Sequence, residues 1–79
     1  MPRYQCYAIS MRNRDDSFDF GSETFDHALD VANMRLGKGD WKLVYDRETA
    51  EEKGMDGLWR TYKRDHWYIY IHHHSCLPV

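Results

Sequence analysis

Residues 58–74, LWRTYKRDHWYIYIHHH, constrain the fold more than any other part of this 79-residue chain. They carry two of its three Trp and three of its six Tyr. The segment reads as two strands, 58–63 and 66–73, joined by a tight polar turn at Arg64-Asp65. Successive side chains on a strand point to opposite faces, so aromatic rings fall on both faces of this hairpin. A single helix can cover only one of them. The turn position predicts Tyr62 opposite Trp67, Arg60 opposite Ile69 and Trp59 opposite Tyr70. Leu58, Tyr62, Trp67, Ile69 and Ile71 are then expected to face a helix. Trp59, Thr61, Lys63, His66, Tyr68, Tyr70 and His72 are expected to face away from it.

The rest of the chain supplies the partners. Tyr4–Met11 alternates as a strand, with Tyr7, Ile9 and Met11 on one face and Cys6 and Ala8 on the other. Both faces are fairly apolar, as in an interior strand. Arg12–Ser17 is a polar turn rich in Asn and Asp, and Phe18 and Phe20 follow as a short extended return. A helix is predicted over about residues 23–36. Ser22 supplies the capping hydroxyl, Glu23 and Asp26 suit the positive end of the dipole, and Gly37 ends the helix with a left-handed residue. Phe25, Ala28, Leu29, Ala32 and Leu36 form one apolar stripe at the helical period. Trp41–Arg47 is a further strand, and Glu48–Gly57 a long acidic loop. The predicted fold class is α+β: a single domain over residues 1–79, in the order β-α-β-β-β, with one helix packed on one face of an antiparallel sheet. The stripe is expected to pack against Leu43, Tyr45, Ile69 and Ile71.

Composition narrows the function classes. Hydrophobic residues at 42% and charged residues at 30% suit a folded domain rather than a disordered chain. A formal charge of −2 gives no bulk attraction to nucleic acid or to membranes. Cys6 and Cys76 are too few for a disulfide framework. With no signal peptide or long apolar run, a cytoplasmic protein with reduced thiols is expected.

Catalytic and metal-binding patterns are weak. His72, His74 and Cys76 fall on one strand face and are zinc-ligand types, but no second His/Cys pair accompanies them, and a solvated strand end is the plainer reading. No serine sits in a nucleophile elbow. Asp15-Asp16 and Glu48, Glu51 and Glu52 lie in polar segments where no burial would raise a carboxyl pKa. Cys6 belongs to an apolar strand, and Gly37-Lys38-Gly39 lacks the rest of a phosphate loop. No enzyme, cofactor or metal is expected.

Binding is the remaining class. Trp59, Tyr68 and Tyr70 on an uncovered sheet face are suited to anchoring a protein partner. Mixed with Lys42, Lys63 and His66, the same rings make a nucleic-acid-binding module the alternative. Asp15, Asp16, Asp19, Glu23, Asp26 and Asp30 run from the first turn along the helix, and Glu48, Glu51, Glu52 and Asp56 fill the long loop. These carboxylates read either as a solubilising surface or as a patch competing with nucleic acid for a basic groove. The expected partner-binding set is Asp15, Asp16, Asp19, Glu48, Glu51, Glu52, Asp56, Trp59, Tyr68 and Tyr70.

The run Leu43-Val44-Tyr45-Asp46-Arg47-Glu48-Thr49, then Gly54, Gly57 and Tyr62, follows a single amphipathic helix. In this it resembles small phage-encoded anti-CRISPR proteins that inhibit type I CRISPR surveillance complexes. The resemblance covers most of the chain in layout and about residues 40–63 in residue identity. It implies a non-enzymatic inhibitor, monomeric or weakly dimeric, acting in the bacterial host cytoplasm to evade antiviral defence. Such an inhibitor binds protein subunits of the effector complex and blocks target-DNA engagement, without itself binding nucleic acid.

Overall fold

The computed structural model describes residues 3–52, 54 and 57–73. Its elements are β1 (Tyr4–Ser10), a 3₁₀ turn (Arg14–Asp16), β2 (Phe18–Ser22), α1 (Phe25–Leu36), β3 (Lys42–Asp46), β4 (Leu58–Arg64) and β5 (Trp67–His73). The five strands form one sheet in the order β2-β1-β5-β4-β3, and every neighbouring pair is antiparallel. The expected α+β class holds. The return through Phe18 and Phe20 is a full edge strand, so two strands precede the helix.

The helix seats on the sheet through its smallest side chains. Ala28 and Ala32 are fully buried, and they join Cys6, Ala8, Tyr62, Ile69 and Ile71 in one core. Phe25, Leu29, Trp41 and Trp67 pack around it. Two alanines in successive turns of one face allow close approach of the helix to the strands. The cap is Thr24, not Ser22: Thr24 Oγ1 accepts the His27 N–H at 3.0 Å. Ser22 ends β2, is almost wholly buried, and donates its hydroxyl to the Thr24 carbonyl at 2.6 Å. At the other end Gly37 adopts φ 91°, a region that side chains disfavour.

The expected packing against Leu43 and Tyr45 is not formed. A helix about 10 Å wide cannot cover five strands spaced about 4.8 Å apart. It lies over the centre and the β2 side, leaving Leu43 42% and Val44 47% exposed at the β3 edge. Tyr45 pairs with Thr61 on the opposite face. A bulge at Val44, between Leu43 and Tyr45, breaks the ladder there.

The final hairpin differs from expectation in two ways. Its turn is Asp65-His66, with Asp65 at φ 54°, so Tyr62 pairs with Ile69 and Arg64 with Trp67. That register differs from the predicted one by two residues. An even shift leaves each side chain on its face, and Tyr62, Trp67, Ile69 and Ile71 do face the helix. The second difference is a bulge between Leu58 and Arg60. It rotates Leu58 to the open face, opposite His72. Trp59 instead joins the helix side, with its ring 5.8 Å from that of His73. His73 in turn meets Tyr4, which lies against Phe25.

The uncovered sheet face as the candidate functional site

Cross-strand register arranges the uncovered face in three rows. The first is Lys42–Lys63–Tyr68–Ile9. The second is Tyr45–Thr61–Tyr70–Tyr7–Asp19. The third is Leu58–His72–Gln5–Gly21. Side chains on one face of a sheet interact with directly opposed, diagonal and same-strand neighbours, and all three kinds of contact occur here. Tyr68 and Tyr70 stack with ring centroids 6.1 Å apart. The Lys63 ammonium lies 5.7 Å from the Tyr68 centroid. Tyr7 and His72 meet edge to face at 5.5 Å. Gln5 donates to Asp19 at 3.3 Å.

Among the described residues one corner of this face is closed and the rest is open. The chain after β3 folds back over Tyr45 and Leu58: the Tyr45 hydroxyl accepts the Gly54 N–H at 2.8 Å. A Cβ on Gly54 would lie 3.5 Å from both the Tyr45 ring and the Leu58 side chain. Leu58, Thr61 and His72 are buried there. Burial lowers the His72 pKa below its ordinary value, and its Nδ1 has no hydrogen-bond partner among the described residues. Away from that corner Tyr7 is exposed and Ile9, Tyr68 and Tyr70 are half-buried, with Met11 exposed beyond the end of β1.

The predicted partner residues divide among separate places. Tyr68 and Tyr70 lie on the open face as expected. Trp59 does not; the bulge carries it to the helix side, where its indole nitrogen is buried without a partner among the described residues. Asp19 is exposed on β2 and is the one carboxylate in the three rows. Asp15 and Asp16 are exposed in the 3₁₀ turn, where Asn13 Oδ1 caps the Asp15 N–H at 3.1 Å. Glu48, Glu51 and Glu52 are exposed between β3 and β4, and Asp56 lies outside the described residues. Glu23, Asp26 and Asp30 are exposed on and before the helix, which covers the other side of the sheet. The acidic helix surface and the tyrosine face therefore point in opposite directions. Tyr7 and Ile9 complete the face and were absent from the predicted set. The signal for them is the second apolar face of β1, which needs either a covering layer or a partner.

Other chemistry is sparse. Cys6 is fully buried, and burial pushes its thiol up to about 12, so it stays protonated and inert. Among the described residues no three His, Cys, Asp or Glu side chains gather as a metal site. His74 and Cys76, two of the three zinc-ligand types noted in sequence, lie outside them. A shallow depression of about 350 Å³ is lined by Asp30, Asn33, Met34 and Lys38. That lining offers one carboxylate, Asp30, and one amine, Lys38. Among the described residues no helix is long and apolar enough to cross a membrane. Comparison with protein-family models, with curated proteins and with solved structures finds no match to this chain.

Proposed function

We propose that the chain is a non-enzymatic protein-binding inhibitor of the anti-CRISPR type. In this reading it docks on a type I CRISPR surveillance complex through the open sheet face and blocks target-DNA engagement. The observation that carries the binding reading is the patch of Tyr7, Tyr68 and Tyr70 on central strands, over which no described element is layered. Tyrosine gives large contact area with few rotatable bonds, and uncovered rings on a rigid sheet are suited to anchor a partner. The choice of partner rests on the resemblance over residues 40–63. The exposed carboxylates at Asp15, Asp16, Asp19, Glu48, Glu51 and Glu52 supply the long-range field that would steer the chain toward a basic groove.

The test is capture of purified type I surveillance complexes on the immobilised chain, followed by variants. Tyr70→Ala is expected to weaken binding by about 2 kcal/mol, roughly 30-fold, mainly through faster dissociation. Replacing Asp15, Asp16 and Asp19 with Lys should slow association and flatten its salt dependence. Failure to capture any type I complex refutes the choice of partner.

Lys63 over Tyr68 favours the second reading, a nucleic-acid-binding module. Gel shifts on single- and double-stranded DNA separate the two. Tight binding of isolated protein to single-stranded DNA at physiological salt, lost in Lys63→Ala or Tyr68→Ala, would establish the module instead.

A further inference from the structure

We infer that the β3 end of the open face, built by Lys42, Lys63 and Tyr68, receives a carboxylate from an acidic segment of the protein partner. The inference rests on the protein-binding reading and adds the chemistry of the contact.

Lys42 and Lys63 are direct cross-strand partners on one face, and both are exposed. Like charges placed opposite one another destabilise a sheet. Neither lysine has a carboxylate within ion-pair distance among the described residues; the ion pair nearby is Arg60–Asp46 on the other face. The sheet thus holds a repulsive pair that its own side chains do not neutralise. An anion seated between the two ammonium groups relieves that repulsion and accepts a charge-assisted hydrogen bond from each. The next position along the row is Tyr68, stacked on Tyr70. A residue neighbouring the carboxylate therefore lands beside the half-buried Tyr68 and Tyr70 rings. The arrangement suits a Glu or Asp flanked by an aromatic or aliphatic side chain.

A phosphodiester chain fits less well. Non-specific binding of single strands gains its affinity from many phosphates at once. This row offers two cations, the adjacent row ends on Asp19, and the whole chain carries a formal charge of −2. One carboxylate can be matched here, whereas a run of phosphates finds no further cation along the row, which continues with Tyr68 and Ile9.

The experiment is an amide chemical-shift titration of the full chain with acetyl-Phe-Glu-Phe-Glu-amide. Parallel arms use the peptide with Gln in place of Glu, and a short oligothymidine at physiological salt. The acidic peptide should shift the amides of Lys42, Lys63 and Tyr68. The Gln peptide should bind about tenfold more weakly, as loss of a charge-assisted contact predicts. The Lys42→Gln, Lys63→Gln double variant should lose the response while melting no lower than wild type, since removing like charges does not weaken the sheet. Equal binding of the Gln peptide, or saturation of the same amides by oligothymidine, overturns the inference. Two outcomes separate it from the reading beneath it. If a surveillance complex is captured and Tyr70→Ala weakens capture but the double variant does not, the carboxylate contact is wrong and the inhibitor reading stands. If no complex is captured yet the peptide shifts persist, the site stands and the named partner is wrong.

Discussion

Arg64 offers the sharpest test of how this small sheet holds its helix. Its guanidinium donates to the Gly37 carbonyl at 2.8 Å, to Asn33 Oδ1 at 3.0 Å and to the Leu36 carbonyl at 3.3 Å. It also lies 5.3 Å from the Trp41 ring centroid. The last carbonyls of a helix have no partner within the helix, and a cation at that end also complements the dipole. One side chain at the end of β4 therefore completes the C-terminus of α1 and ties it to the sheet. Arg64→Met keeps most of the apolar stem and removes the three donors. A hydrogen bond from a charged group is worth about 1.5–3 kcal/mol when buried. Here Arg64 is only half-buried, Gly37 is exposed, and Asn33 Oδ1 retains the Trp41 indole at 2.9 Å. Discounting each contact to roughly 0.7 kcal/mol gives a total near 2 kcal/mol. For a domain of this size that lowers the melting temperature by about 8–16 °C. Thermal unfolding followed by circular dichroism measures it. Arg64→Lys should recover less than half of the loss, because an ammonium cannot span the three acceptors as a planar fork does. A Met variant that melts within about 2 °C of wild type would refute the capping role.

Further outcomes follow from burial, backbone geometry and titration. Ile71→Ala, at a fully buried position, should cost about 3–4 kcal/mol by denaturant unfolding, whereas Leu43→Ala, 42% exposed, should cost under about 1 kcal/mol; equal costs would mean that the helix covers β3 after all. Gly37→Ala forces a side chain into φ 91° and should cost about 1–2 kcal/mol in the same assay. In a Cys76→Ser background, a thiol reagent should label Cys6 only at the rate of unfolding, and labelling at a free-thiol rate in native buffer would contradict its burial. Because the folded Cys6 thiol is pushed from 9.0 up to about 12, the unfolded chain loses its proton first. Stability should therefore fall as pH rises above about 9. His72 works in the opposite direction: its folded pKa lies below 6.5, so the unfolded chain takes up the proton first and stability falls as pH drops through that value. Melts between pH 8 and 5.5 should lose part of this slope in His72→Gln.

Most of the architecture was legible in alternation and helical period. The apolar stripe through Ala28 and Ala32 found the helix, and the two-residue repeat through Trp67, Ile69 and Ile71 found the face it covers. Even the misplaced turn did little harm, because a register error of two residues keeps parity. The bulge at Trp59 was not legible. Nothing in Leu58-Trp59-Arg60 announces it, and once present it exchanges the faces of Leu58 and Trp59. The helix cap was ambiguous for a different reason: Ser22 and Thr24 both carry a suitable hydroxyl, and only the length of β2 decides between them. The exposure of Leu43 depends on how far one helix reaches across five strands, a width that no local pattern encodes. At the candidate site, Tyr68 and Tyr70 could be read from alternation. Tyr7 could be placed beside Tyr70 only after β1 and β5 were known to pair.

That β1–β5 pairing has a consequence for synthesis. The middle of the sheet joins the first described strand to the last. A ribosome that has emitted residues up to Arg64 has released the β1–β2 hairpin, the helix and the β3–β4 pair, but not the strand that joins them. Until Trp67–His73 emerges, Cys6, Ala8, Ala28 and Ala32 have no Ile69 or Ile71 to close against. The nascent chain therefore cannot gain its native core in stages. At about 5–20 residues per second the wait is short, but a stalled or prematurely terminated product is left as two unjoined pieces open to chaperones and proteases.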